Sequence, residues 1–224
     1  MLSLEAYLHQ FIIVNDGSTD GTEAILRNFA GRDSRIKLIS RPNTGYVRAL
    51  NEAAEHASGT YVARMDGDDI ALPERFARQV AYLDAHPEAV IVGTSYDLID
   101  HRGRRLRTQH QPTDDAALQR DCLAGTTPLC HPTTMFRRSS FEQAGRYDEA
   151  FYPAEDLNLW LRLGEIGQLA CLPDVLLRYR LHAGSVSETK QTQQVAAARR
   201  ACEAAGARRG VPIDFKAGAG WREI

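Results

Sequence analysis

An α/β fold, built on a mostly parallel sheet flanked by helices, is what the sequence predicts, and three observations predict it. Short apolar runs alternate with stripes of helical period between residues 11 and 94. Acidic turn clusters close two of those runs, NDGSTDGT after residue 14 and DGDD after residue 65. The alternation stops near Tyr96, and the remainder reads as an α+β second half.

The elements follow in order. Residues 11–14 (FIIV) read as a strand, and Ala24, Ile25, Leu26 and Phe29 as a helical stripe. Asp20 and Glu23 stand at capping-box spacing and place the helix start near Gly21. Residues 36–39 are a second strand, RPNTG a loop and residues 46–57 a helix. Residues 60–65 (TYVARM) form a third strand. Pro73 suits the first turn of a helix with Phe76, Val80 and Leu83 on one face, and residues 89–94 are another strand. Past Tyr96 come turn signals at residues 101–103 and 112–115. Leu157, Trp160, Leu161 and Leu163 mark a helix after Ala154-Glu155-Asp156, with Trp160 in the core. Residues 176–181 read as a late strand and residues 192–209 as a helical tail. With no repeat or linker, residues 1–224 are taken as one domain.

Composition narrows the function. The 224 residues are 43% hydrophobic and 25% charged, ordinary globular usage. Twenty-seven Lys and Arg stand against 29 Asp and Glu, a formal charge of −2, so no global basic field would hold nucleic acid and an anionic ligand must be held locally. Cys122, Cys130, Cys171 and Cys202 form no CxxC pair, which argues against a zinc site or a disulfide scaffold. No apolar run approaches the ~20 residues of a membrane span. A cytoplasmic protein is the expectation, with peripheral contact at the inner membrane face as the alternative.

In a parallel α/β sheet, ligands bind beyond the carboxyl ends of the strands, where Asp16 and the Asp66-Gly67-Asp68-Asp69 cluster sit. NDGSTDGT resembles the start of a calcium loop, but position 12 would be Arg27 in place of Glu, so that reading fails. In DGDD, three carboxylates within four residues repel one another unless a cation sits among them. Hard oxygen donors at a sheet mouth suit Mg²⁺ or Mn²⁺ shared with substrate phosphates. The bland alternative is a solvated acidic turn with Asp69 capping the next helix. A DxD-type phosphatase would carry its pair on the first strand, which this chain does not.

The segments IIVNDGSTDGT, RPNTGYVRALNEAAEHASGTYVARMDGDDIALPERFARQVAYL, CHPTTMFRR, YPAEDLNLWLRL and YRLHAGSVS, in that order, resemble the family 2 glycosyltransferases of the GT-A, Rossmann-like fold. The resemblance implies inverting transfer of a sugar from a nucleoside diphosphate donor, with UDP the expected nucleotide, to a hydroxyl acceptor. It implies a nucleotide-sugar-binding half at 11–95, an acceptor and catalytic half at 96–190 and a helical tail at 191–224. It gives Asp16 and Asn43 to the donor, Asp66 to the ribose and cation, and Asp68 and His182 to the cation and diphosphate. It makes Asp156 of the Glu155-Asp156 pair the general base; chemistry alone leaves Glu155 equally eligible. His131 is a candidate for the acceptor pocket or a satisfied structural group, and Arg48 and Arg64 reach either phosphates or surface salt bridges. Arg102, Arg104, Arg105 and Arg107 read as a solvated hairpin before a phosphate contact.

The family begins with a strand and a helix ahead of the segment at residues 11–14, and ten residues do not provide both. The first family strand is therefore expected to be missing, leaving residues 11–14 either to close onto residues 60–65 or to face a gap. An inactive remnant acting as a binding module is the alternative function. A nucleotidyltransferase would need a Gly-rich phosphate loop that the first strand lacks.

Overall fold

In the computed structural model, residues 10–181 and 190–216 are described. The strands are β1 (Phe11–Asp16), β2 (Ile36–Arg41), β3 (Tyr61–Ala63), β4 (Ile70–Ala71), β5 (Ala89–Ile99), β6 (Arg105–Gln109), β7 (Met135–Arg137) and β8 (Gln168–Arg180). The helices are α1 (Thr22–Ala30), α2 (Tyr46–Glu55), α3 (Arg75–Ala85), α4 (Asp115–Leu123), α5 (Arg138–Gln143), α6 (Glu155–Leu163) and α7 (Gln191–Arg209).

The strands form two sheets. β1 and β2 pair in parallel, and a six-stranded sheet runs β3-β7-β5-β8-β4 with β6 beside β5. The α/β class holds, but strand direction is more mixed than the alternation predicted. Only β1–β2 and β5–β8 are parallel pairs among the described residues; β3–β7, β4–β8, β5–β6 and β5–β7 are antiparallel. The hairpin at residues 101–104 turns β6 back along β5 without a helical crossover, which makes that pair antiparallel. β3 pairs with β7, so one sheet spans the boundary drawn at residue 95. Among the described residues β1 pairs with β2 and not with β3, so the expected closure of residues 11–14 onto residues 60–65 does not form.

The core is built on β5, whose eleven residues are almost all buried. Its side chains feed two clusters, with a register shift between Ala89 and Ile91 interrupting the alternation. Val90 and Ile91, with Phe136, Leu169 and Cys171, meet Leu118 of α4, Leu157 and Trp160 of α6, and Ala201 of α7. Val92, Met135 and Ala170 meet Leu83 and, less buried, Phe76 and Val80 of α3. Gly93 allows the close approach of the layer above, since a Cβ there would stand 2.9 Å from Leu129 Cδ2.

Three local expectations change. The Asp20/Glu23 capping box does not form: Asp20 Oδ1 accepts the Thr22 N–H, while Glu23 turns to the Asn15 amide and to Arg27. β5 runs five residues past Thr94. β8 starts at Gln168, with its pairing to β5 skipping from Leu172 to Val175, so Pro173 and Asp174 sit in a bulge. In α1 no residue is buried, and Ile25 and Phe29 are 58% and 53% exposed.

Candidate active site

Asp16 ends β1 and is held by the loop that starts α2. Its carboxylate accepts the Thr44 N–H at 2.9 Å and the Gly45 N–H at 3.0 Å, and pairs with Arg41. Anchoring a carboxylate on N–H groups ahead of a helix is favourable, because these donors have no intrahelical partner. Asn43 Nδ2 donates to the Asp16 carbonyl at 2.9 Å. Gly17 makes the approach possible: its φ is +79°, and a Cβ there would lie 2.6 Å from the Asn43 nitrogen. Asp16 and Asn43, both expected at the donor, are thus neighbours.

A second group gathers around Arg64, just past β3 and 7% exposed. Its Nη1 donates to Asp66 Oδ2 at 2.7 Å and Nη2 to Asp66 Oδ1 at 2.5 Å, a bidentate fork. Nη2 also meets the Tyr46 hydroxyl of α2, and Nε is buried without a partner. Arg64 is therefore neither on the surface nor in a surface salt bridge. Asp68 is exposed and Asp69 buried. Burial, reinforced by Asp66 and Asp68, pushes the Asp69 carboxyl up to about 7 against the hydrogen bond it accepts from the Arg180 N–H at 2.9 Å. Its Oδ2 has no partner, so Asp69 does not cap the helix that follows.

Glu155 and Asp156 open α6, and Arg64 acts on both charges. Glu155 is 5% exposed with Oε2 unpartnered; burial first, then the Asp156 charge, raise its carboxyl. Asp156 is only partly buried by exposure and accepts the Leu157 N–H at 2.7 Å. Burial raises it too, against the Leu157 bond and Arg64.

The other candidates separate. His131 is buried, shares a 2.8 Å hydrogen bond between Nε2 and the Tyr147 hydroxyl, and sits edge-on to Trp160. Burial, then Arg64, hold its imidazole well below the usual range, so it is neutral. Arg48 pairs on the surface with Glu149 at 2.9 Å. Arg104 pairs with Asp100 in the exposed hairpin. His182 lies outside the described residues. Tyr46 and Tyr147 were not singled out from sequence; an aromatic at a helix start or beside a Gly-Arg turn carries no signal without its distant partners. A cavity of about 440 Å³ lined by Asn51, Tyr147, Asp148, Glu149, Asn158, Arg162 and Arg208 shares only Tyr147 with this group.

The donors fit a hard divalent ion in kind: Asp66 and Asp68 offer oxygen, and Asp69 Oδ2 is a buried oxygen with no partner. Among the described residues no three His, Cys, Asp or Glu side chains converge into a closed metal cage. A cation here would draw further oxygens from a ligand.

The solved structures that the chain superposes on share its α/β architecture and are GT-A glycosyltransferases. The chain superposes on S. aureus TarS 1-349, crystallised with UDP-GlcNAc, with a TM-score of 0.66 at 18% identity, covering 86% of this chain and 56% of that one. It superposes on the mannosyltransferase PcManGT of Pyrobaculum calidifontis, in complex with GDP-Man and Mn²⁺, with a TM-score of 0.62 at 20% identity, covering 85% and 55%. At these identities what is shared is the fold. The model of Glycosyl transferase family 2 matches residues 2–145, and the chain belongs to that family. It is 32% identical over 183 residues to the amylovoran biosynthesis glycosyltransferase AmsE of Erwinia amylovora. That match covers 81% of this chain and 68% of AmsE. It is 28% identical over 202 residues to the O-antigen biosynthesis glycosyltransferase WbnJ of Escherichia coli, covering 84% and 76%. Several relatives are longer: the chain spans 62% and 60% of two others. No helix among the described residues is long and apolar enough to cross a membrane.

Proposed function

We propose that the chain transfers a sugar, with inversion, from a nucleoside diphosphate donor to a hydroxyl acceptor, with Asp156 as general base. The observation that carries this reading is that buried Arg64, forked onto Asp66, also acts on the charges of the Glu155-Asp156 pair at the start of α6. On this reading Asp66 serves the donor side and Asp156 the acceptor side of one site.

The acceptor oxygen attacks the anomeric carbon, the bond from that carbon to the diphosphate oxygen breaks, and the electron pair leaves with the diphosphate. The acceptor proton passes to a carboxylate. Asp156 suits that role better than Glu155, since Asp156 remains partly accessible and Glu155 is 5% exposed. Its raised affinity for protons strengthens it as a base while its position at a helix start fixes it. Asp66 and Asp68 would hold Mg²⁺ or Mn²⁺, which, when bound, neutralises charge growing on the leaving diphosphate. Asp16 and Asn43 line the nucleotide end. UDP is the first donor to try, since TarS was crystallised with UDP-GlcNAc, and GDP the second, from PcManGT.

Asp156→Asn keeps the shape and removes the base. Turnover should fall by ~10²-fold or more while donor affinity stays close to the parent's. If Glu155→Gln abolishes turnover and Asp156→Asn does not, the base is the other carboxylate.

A further inference from the structure

We infer that Arg180 is a positioning residue that ties the Asp66–Asp69 loop to the turn between β5 and β6, so that the second half of the fold sets the geometry offered to a cation and diphosphate. This rests on reading Asp66 and Asp68 as the donor-side carboxylates.

Arg180 closes β8 and makes hydrogen bonds in two directions. Towards the acidic loop, its backbone N–H donates to Asp69 Oδ1 at 2.9 Å and its Nε donates to the Asp68 carbonyl at 2.8 Å. Towards the hairpin, its Nη1 donates to the carbonyls of Asp100 at 3.0 Å and His101 at 3.2 Å. A guanidinium holds its donors in a rigid plane, so the separation of the two carbonyl groups is fixed by the fork. A lysine ammonium would be a point donor on a flexible stem and would not span both.

The two ends differ in stiffness. At the hairpin, Asp100 Oδ1 accepts the N–H groups of Arg102 and Arg104, each at 2.9 Å, and Oδ2 accepts Arg104 Nε at 2.7 Å. The Gly103 N–H closes the turn on the Asp100 carbonyl at 2.9 Å, with Gly103 at φ +81°. The acidic loop is anchored at Asp66 by the Arg64 fork, but past it the Asp69 N–H reaches the Asp66 carbonyl only at 3.4 Å and β4 is two residues long. Arg180 therefore lends the loop the rigidity of the turn. By fixing the Asp68 backbone it orients the side chain expected to face the cation, and groups that orient ligating residues are typically worth about 10–100-fold in metal affinity.

The test uses the full chain, with Arg180→Met, Arg180→Lys, Asp100→Ala and the Arg180→Met/Asp100→Ala double variant. Hydrogen exchange is read over residues 66–71, and UDP and GDP binding is titrated with and without Mn²⁺. In Arg180→Met, exchange at 66–71 should quicken and Mn²⁺-dependent affinity should fall about 10–100-fold, with Mn²⁺-independent binding unchanged. Arg180→Lys should not restore either property. Asp100→Ala keeps the carbonyl that Arg180 holds but removes the carboxylate that stiffens the turn; it should weaken Mn²⁺-dependent binding when made alone and add nothing in the Arg180→Met background, because the turn reaches the acidic loop only through Arg180. Parent-like exchange and affinity in Arg180→Met, or additive losses in the double variant, overturn the inference. If the parent shows no Mn²⁺-dependent binding of either nucleotide, the donor reading fails and the role of Arg180 in it fails too; quickened exchange at 66–71 would still uphold the mechanical tie.

Discussion

Replacing Arg64 by methionine keeps much of the buried volume and removes the charge that Asp66, Glu155 and Asp156 share. Truncating one partner of a buried ion pair costs about 3–5 kcal/mol. The Asp66 side chain is 34% exposed and can rehydrate, which puts the expectation at the lower end, about 3 kcal/mol. For a chain of this size that corresponds to a fall in Tm of about 6–12 °C. The loss should also depend on pH. Burial raises Glu155 and Asp156 above their unfolded values, and Arg64 works against that rise. A carboxyl raised in the folded state makes that state bind more protons, so stability is present below the unfolded pKa and is lost as pH rises through the folded one. Without Arg64 the rise grows, and Arg64→Met should lose more stability at pH 7.5 than at pH 4.5. Differential scanning calorimetry at both pH values measures this, with Arg64→Lys as the charge-retaining control. An equal fall in Tm at the two pH values would refute the idea that Arg64 acts on the α6 carboxylates.

Two further outcomes follow from packing and protonation. Gly93→Ala places a Cβ 2.9 Å from Leu129 Cδ2 and 3.3 Å from Thr133 Oγ1, and should cost about 1–3 kcal/mol in urea unfolding; a parent-like midpoint would show that Leu129 yields freely. His131 is held neutral when folded, while the unfolded chain takes up a proton near pH ~6.5. His131 therefore contributes a loss of stability as pH drops from 7 towards 5, opposite in sign to the raised carboxyls of Asp69, Glu155 and Asp156, and His131→Gln should shift the slope by that loss; identical slopes for the two proteins would rule out a contribution from His131.

Residue pattern made some parts of this molecule legible and hid others for identifiable reasons. The carboxylates at Asp16, Asp66 and Asp68 stand out because acidic turns at the ends of apolar runs are readable locally. The continuation of β5 past Thr94 is not, since Gly93, Thr94 and Ser95, small or polar inside a strand, look like its end; here their burial is explained by contacts such as Thr94 N–H to Thr133 Oγ1 at 3.3 Å. Pro173 hides the first half of β8 in the same way, by occupying a bulge that only the pairing with β5 reveals. Arg64 and Arg180 are harder still. A charged residue next to an acidic turn reads as solvated, and a partner that holds Arg64 in place, Tyr46, lies 18 positions away. Strand direction depends on which strands become neighbours, which local pattern does not encode.

The way the site is joined follows from what it must hold. The apolar core between β5, β8 and helices α4, α6 and α7 needs no polar ligand and is sealed. The site lies where α2 and β3 of the first half meet the 147–156 segment of the second, and that seam is made with polar ties. Asn51 of α2 clasps the Tyr147 backbone from both sides, donating to its carbonyl at 2.9 Å and accepting its N–H at 3.1 Å. Arg64 reaches across to Tyr46, and Tyr147 passes the contact on to His131. Buried hydrogen bonds of this kind have a fixed geometry and lose energy steeply when misaligned, whereas apolar contacts slide. A seam built from them can keep Asp66 and Asp156 at a set separation, as the in-line displacement proposed above would require.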